Sequence, residues 1–384
     1  MSRSFAIWGC RNYAKGPGED YNETQADFIN ELHINFWNIT SQKCYHLDFG
    51  ISFSRPQNNE ISEQGAICLF LPFVKEKDDF IDLSTNLDSS KELITAVFNE
   101  YVINKDSINE KHLLLNLTRK GKLIVNTKLD FQGGAFDKRI TLRKRNDGTY
   151  VFFHLQDCLS NCNNCNNCNN CNDCNYCNYY IRFRINLNES DVEAIVKTFY
   201  PKDLFLKSNI ERSDIIDFRI NEQRNLPNEV ATTLASASCT PSKYHFFVIR
   251  DMVDEASASG SSYQGCRILE SETWKKYFSN NVNFGKNDPM IYHWKAKKDD
   301  GARLGDFSVV VKFKTTKSKI SKIFTYMFYA AAIAYIMKFI PTDGVHKDIY
   351  LICTIAFIVA YIAAHFIKPQ KLSNFIALVK KWKN

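Results

Sequence analysis

The chain has 384 residues, with 49 Lys plus Arg against 42 Asp plus Glu (formal charge +7), 14% aromatic residues and 13 Cys. This composition excludes collagen-like, coiled-coil and wholly disordered classes and allows about two domains. Residues 318–384 hold nine Lys and two Asp, whereas residues 1–317 hold 40 basic and 40 acidic residues; that balance excludes a broad nucleic-acid surface but leaves room for one small anionic ligand.

From the N-terminus, residues 5–10 are too short for a signal-peptide core. Tyr45, Leu47, Phe49, Ile51 and Phe53 alternate with His46, Asp48, Gly50 and Ser52, the pattern of a half-buried strand. Residues 32–39 and 67–73 are its expected neighbours. Ser90 precedes a helix predicted over 91–102. Strands follow at 122–131, 139–145 and 149–155, the last two joined by Asn146-Asp147-Gly148, a hairpin signal.

Seven Cys stand at 158, 162, 165, 168, 171, 174 and 177. This Cys-Asn tract reads as an insertion at 158–178, between two strands. Successive pairs from Cys162 form CxxC, so Cys162, Cys165, Cys168 and Cys171 are candidate metal ligands. Four thiolates suit zinc, and a soft polythiolate suits copper(I). Against this, all ligands come from one tract and no His interleaves. The x3-Cys-Pro of a ferredoxin run is also missing. A perfect short repeat is equally what expansion in a tolerant loop produces. No other motif demands a cofactor.

Residues 179–187 alternate Tyr179, Ile181, Phe183 and Ile185 against Tyr180, Arg182 and Arg184. Ser190 and Glu193 form a capping box for a helix over 191–200. Arg182, Arg184, Arg219 and Arg224 are the candidate ligand-binding residues, since clustered guanidinium groups grip phosphate or carboxylate. The competing reading pairs Arg212, Arg219 and Arg224 with Glu211, Asp214, Asp217 and Glu222. Residues 230–242 and 254–265, rich in Ala, Ser and Gly, read as flexible loops. Strands at 246–250 and 307–313 and a helix at 272–278 complete the region. The pattern predicts a mainly β fold, antiparallel and sandwich- or barrel-like, α+β with a few short helices. P-loop, GxGxxG, HExxH and GxSxG motifs are absent, and His33, His46, His112, His154, His245 and His293 stand isolated in sequence.

Residues 323–340 are apolar except for Lys338, and residues 349–367 carry no charge. Runs of that length, apolar on all sides, predict a transmembrane hairpin over 318–368. Lys312, Lys314, Lys317, Lys319 and Lys322 precede it, and Lys368, Lys371, Lys380, Lys381 and Lys383 follow, against Lys347 alone in the connection. The positive-inside rule then places both ends in the cytoplasm, with residues 1–317 cytosolic and their thiols reduced. Ala330 and Ala334, and Ala356, Ala360 and Ala364, repeat every four residues and let helices pack closely, within the hairpin or in a homo-oligomer. Residues 369–384 read as a basic amphipathic tail on the inner leaflet of the bilayer.

The expectation is a membrane effector. A cytosolic sensing domain controls an oligomerising hairpin that perturbs or permeates the membrane. In layout this resembles bacterial membrane effectors, some anti-phage defence proteins among them. A tethered scaffold with a passive anchor, or a membrane-bound enzyme with a dispersed site, are the alternatives.

Overall fold

Period-two alternation builds most of the molecule. The computed structural model describes residues 3–10, 28–56, 65–132, 137–159, 178–200, 211–237, 239–258, 262–278, 288–297 and 305–316. All belong to one compact unit, Met1–Thr316. The predicted hairpin, its alanines, the basic tail, and Cys162, Cys165, Cys168 and Cys171 lie outside the described residues. Among the described residues, no helix is long and apolar enough to cross a membrane.

The described residues form three sheets with few, short helices, as a mainly β fold requires. The first sheet runs β1 (Ala6–Cys10), β4 (Ala66–Leu71), β10 (Gly148–His154), β9 (Ile140–Arg145). The second runs β16 (Tyr263–Ile268), β17 (Met290–Lys297), β14 (Lys243–Arg250), β2 (Ile29–Ile39), β3 (Cys44–Ser54), β11 (Asn178–Asn186), β8 (Gly121–Asn126), β7 (His112–Leu117), β6 (Val102–Asn109). Strand β5 (Phe80–Asp82) pairs with β11 off this path. The third runs β12 (Val196–Phe199), β13 (Glu211–Ile220), β18 (Phe307–Thr316), β15 (Asp254–Ala258). Pairing is antiparallel except for β14 on β2 and β11 on β8.

One face of the second sheet is apolar. Leu32, Ile34, Phe36, Phe49, Ile51, Ile181, Phe183, Phe246 and Val248 are buried there, joined by Leu69 and Phe153 of the first sheet and Phe218 and Val309 of the third. Each such side chain contributes about 1.5–3 kcal/mol by leaving water. The opposite face is covered only in part, by helices α1 (Ser84–Asp88), α2 (Lys91–Phe98) and, later in the chain, α6 (Ser271–Tyr277). Leu87, Leu93, Ile94, Trp274 and Tyr277 pack there on Trp37 and Ile39.

Buried polar groups join the sheets. Asn221 Oδ1 accepts from Ile7 N at 2.8 Å, and its Nδ2 donates to Ile7 O at 3.1 Å and Tyr244 Oη at 2.9 Å. Arg250, wholly buried at the end of β14, donates to Asp214 at 2.9 Å and Asp254 at 2.7 Å in the third sheet.

Several local expectations are corrected. Strand β4 does not border β3; it lies in the first sheet. Helix α2 stops at Asn99, left-handed at φ 53°, and Val102 already opens β6. Helix α4 (Glu189–Ile195) is capped by Asn188 with Asp191 closing the box, not by Ser190 and Glu193. The β-branched run after it leaves the helix and pairs as β12. Residues 230–242 contain helix α5 (Asn228–Ser236), whose Val230, Thr233 and Leu234 are buried at helical spacing. Residues 254–265 contain β15 and the start of β16. The β9–β10 hairpin is present, with Arg145 opposite Gly148. A side chain at 148 would sit 2.1 Å from Leu71 O, so glycine is needed there. Cys158 ends helix α3 (Leu155–Cys158) and is fully buried, and Asn178 is the first residue of β11.

Candidate anion-binding site

The partly uncovered face of the second sheet carries polar side chains where core strands elsewhere carry apolar ones. Strand register sorts them into cross-strand rows. Arg182 lies opposite Gly50, Gly50 opposite His33, His33 opposite His245, and His245 opposite Lys295. One step along the strands, Arg184, Asp48, Asn35, Phe247, His293 and Gly265 form the next row. On the other side, Tyr180, Ser52, Glu31, Lys243 and Lys297 form a third. The parallel β14–β2 pair is what brings His245 beside His33. Members of these rows, among them Glu31, His33, Arg182, His245, His293 and Lys295, floor a cleft of about 560 Å³, walled by Phe98 and Asn99 at the end of α2, by Arg119 and Lys120, and by Gln264–Arg267 of β16. Small-molecule sites are commonly about 300–1,000 Å³.

Arg182 is the most unusual group in it. It is only 2% exposed. Its Nε donates to Tyr277 Oη at 2.6 Å and its Nη1 to Tyr180 Oη at 2.8 Å. Among the described residues, no carboxylate lies within ion-pair range of it and nothing accepts from Nη2. A guanidinium stays charged at any physiological pH, so a cation faces the cleft with donors to spare.

Arg184 has a different fate. Its Nε and Nη2 donate to the buried Asp48 at 2.6 and 3.0 Å. Asp48 also accepts from Trp37 Nε1 at 2.6 Å and Tyr277 Oη at 2.9 Å. Burial opposes ionisation of Asp48, but Arg184 outweighs it and holds the carboxyl below its usual range. Burial pushes the Tyr277 phenol up, so it keeps its proton and donates it to Asp48. Asp48, Tyr277 and Tyr180 thus hold Arg182 in place.

Glu31 accepts from Lys120 and, at 3.0 Å, from Lys243, with His33 Nε2 at 3.4 Å. Burial works against its charge, yet His33 and Lys120 hold its carboxyl well below the usual range. Burial, with the Lys120 charge adding to it, lowers His33. His245 Nδ1 and His293 Nε2 share a hydrogen bond at 3.1 Å. Burial chiefly, with Lys295 adding to it, lowers His245 to about 3 and His293 to about 4. All three imidazoles are therefore neutral at pH 7. General acid–base catalysis works best with a pKa near the operating pH, and burial holds these imidazoles below that range.

Glu31, His33 and His245 each offer one atom within 4.8 Å of the others, a spacing a metal ion could use. The chemistry fits poorly. The Glu31 carboxylate already holds two ammonium groups, and Arg182, Lys120, Lys243 and Lys295 make the surroundings cationic. Glu31 acts as counter-ion to the cleft.

Of the four arginines singled out in the sequence, Arg182 and Arg184 share this face and only Arg182 lines the cleft. Arg219, on β13 of the third sheet, donates to Asp217 and Glu222 at 2.8 and 3.0 Å, and Arg224 also pairs with Glu222. The histidines that stand isolated in sequence are the residues the fold clusters. A signal was present: His33, His245 and His293 each lie two residues from a Glu or Lys in an alternating segment. Cys266, exposed on β16, also lines the cleft, whereas Cys239 is buried elsewhere against Phe28 N.

No protein-family model matches the chain, and no curated protein matches it.

Proposed function

We propose that this chain is a membrane-attached sensor whose β-rich part captures a small anionic ligand in the cleft around Arg182. The observation that carries this reading is a nearly solvent-free guanidinium facing the cleft, with no carboxylate of the described residues in ion-pair range and only the field of Asp48, already paired with Arg184, to offset it. An unpaired buried charge is costly, and an incoming anion relieves that cost. Lys295, without an ion-pair partner among the described residues, and the one N–H that the His245–His293 hydrogen bond leaves free add donors.

In the same proposal residues 318–368 form a transmembrane hairpin with both chain ends cytoplasmic. The hairpins of several copies assemble through Ala330, Ala334, Ala356, Ala360 and Ala364 and perturb the bilayer when the ligand binds. The support for this half is the pair of long apolar runs and the lysines that flank them.

Titration calorimetry of the full chain in detergent with inorganic phosphate and with citrate tests the first half. At least one anion binds, and Arg182→Gln weakens it at least tenfold. No binding by either, or equal binding by the variant, rejects the reading. Exchanging residues 318–368 for an unrelated hairpin tests the second half by membrane depolarisation in cells. Retained activity would reduce the hairpin to a passive anchor.

A further inference from the structure

We propose that the ligand is a nucleotide, with its phosphate between Arg182, His33 and His245 and its base stacked on Phe247 and His293. This inference rests on the anion-binding reading of the same cleft and adds the ligand class.

The first argument is the shape of the donor set. A carboxylate is best met by the full fork of one arginine. The fork of Arg182 is partly used by Tyr180 and Tyr277, which leaves Nη2 and one N–H of Nη1. The other donors come singly, from Lys295 and from the one N–H that the His245–His293 hydrogen bond leaves free, while His33 donates its N–H to Glu31. Scattered single donors match a tetrahedral phosphate, whose several oxygens accept from different directions.

The second argument is the ring ladder. Phe247 and His293 stack at 4.4 Å with planes 10° apart, and His245 lies within 10° of both, at 6.3 and 5.3 Å. All three rings are half-buried and line the cleft. Phe247 is the one purely hydrocarbon side chain in the three rows. Phe247 also packs against the apolar cluster that includes Trp274 and Ile291, and the part of its ring that lines the cleft offers a π face, on which any base stacks.

The third argument is distance. An alanine Cβ built at Gly50 would lie 3.0 Å from Nη1 of Arg182, so the guanidinium lies over β3, beside His33 on β2. The rings on β14 and β17 are one to two strands beyond His33, about 5–10 Å at the usual strand spacing. That is the reach of a ribose between phosphate and base. The cleft, at about 560 Å³, lies within the range used by ligands of this class.

The test compares AMP, ribose 5-phosphate, inorganic phosphate and citrate by calorimetry on the full chain in detergent. AMP is expected to bind at least about tenfold more tightly than ribose 5-phosphate, the increment of one stacked base. Phe247→Ala removes that increment, so that the affinities for AMP and ribose 5-phosphate become about equal. Lys295→Gln, a change at a partly exposed side chain, weakens both ligands alike. Equal affinity for AMP and ribose 5-phosphate, or no effect of Phe247→Ala, overturns the nucleotide inference while anion binding stands. Binding of citrate without either phosphate ester also overturns it. Failure of every anion to bind rejects the underlying reading as well.

Discussion

Gly50 lies directly opposite Arg182 across β3 and β11, and its missing side chain is what lets the guanidinium lie flat on the sheet. A Cβ built there would stand 2.1 Å from Tyr180 Oη and 3.0 Å from Arg182 Nη1. Gly50→Ala should therefore lift Tyr180 and Arg182 together. Overpacking of this kind costs about 1–3 kcal/mol, visible as a lower denaturant midpoint. Anion affinity should fall at least tenfold, because the donors move relative to His33. A variant with unchanged affinity would show that Arg182 does not set the binding geometry.

Asp48 makes a second, separable prediction. It is fully buried and satisfies Arg184, Trp37 and Tyr277 together. Asp48→Ala leaves Arg184 buried without a counter-charge, and breaking a buried pair in this way costs about 3–5 kcal/mol. Trp37→Phe removes one hydrogen bond to the same carboxylate; a hydrogen bond to a charged group contributes about 1.5–3 kcal/mol. Urea unfolding should rank the two in that order. The reverse ranking would mean that Arg184 finds solvent or another partner.

The imidazoles predict a pH response with a definite sign. Burial keeps His245 and His293 neutral in the fold, at about 3 and about 4, whereas in the unfolded chain they titrate near the ordinary value of about 6.5. Between those limits the unfolded chain binds more protons, so stability is full above about pH 6.5 and falls as the pH drops toward 4. Asp48, whose folded value is depressed, adds a further loss only at more acid pH. The groups facing the imidazoles are Glu31, Lys120, Arg182, Lys243 and Lys295. A bound phosphate adds negative charge to this set and raises the imidazoles from about 3 and about 4, so binding takes up protons and tightens as the pH falls from about 6 toward 4, where phosphate itself stays a monoanion. Thermal melts against pH, with and without 10 mM phosphate (about that concentration suffices for a ligand binding in the millimolar range or tighter), read both effects. A phosphate-induced shift in melting temperature that shrinks between about pH 6 and pH 4 would contradict the coupling.

The strands were legible where one face is core. Residues 45–53 and 179–187 alternate cleanly because Leu47, Phe49, Ile51, Ile181, Phe183 and Ile185 all enter one apolar cluster. Strand β17 has the same alternation, in Tyr292 and Trp294 against His293 and Lys295, but its polar phase carries rings and charges that blur the contrast. Helix α5 was hidden by Ala, Ser and Thr, which read as loop until Val230 and Leu234 have something to pack on. In the site, Arg182 and Arg184 were visible as a pair on one face. Their different roles were not, because the difference depends on Asp48 and Gly50, residues 136 and 132 positions earlier in the chain. The histidine cluster needs the parallel β14–β2 register, a pairing between segments about 210 residues apart that no local pattern encodes.

The Cys-Asn tract predicts a tolerated deletion. Removing residues 160–177 while keeping Cys158, which is buried in the core, should leave phosphate affinity and melting temperature unchanged, since loop length alters closure entropy only slowly. Metal analysis of the intact and deleted chains tests the thiolates at Cys162, Cys165, Cys168 and Cys171. Zinc or copper(I) that disappears with the deletion would assign them as ligands. Lost affinity after deletion would give the tract a role in sensing.

The last prediction concerns how binding in the cleft would be passed to the proposed hairpin. Strand β14 carries His245 and Phe247 in the cleft and ends in Arg250. Arg250 donates to Asp254 at 2.7 Å, and Asp254 accepts from Thr315 Oγ1 at 2.5 Å. Thr315 is the penultimate residue of β18, and the chain continues from β18 into residues 317–384. A buried polar chain therefore links β14, which lines the cleft, to β18, after which the chain continues toward the proposed hairpin. Coupling requires that both ends bias one element with two arrangements, and this chain is the candidate. Thr315→Val keeps the size and removes the hydroxyl, at a cost of about 1 kcal/mol or somewhat more for a hydrogen bond to a carboxylate. Phosphate affinity measured in detergent should be unchanged, because Thr315 lies outside the cleft. Ligand-dependent depolarisation of cells or vesicles should weaken. If Thr315→Val lowers affinity and response in parallel, the residue acts on folding alone. If neither changes, the signal leaves β14 by another route, for which Arg250–Asp214 to β13 is the next to test.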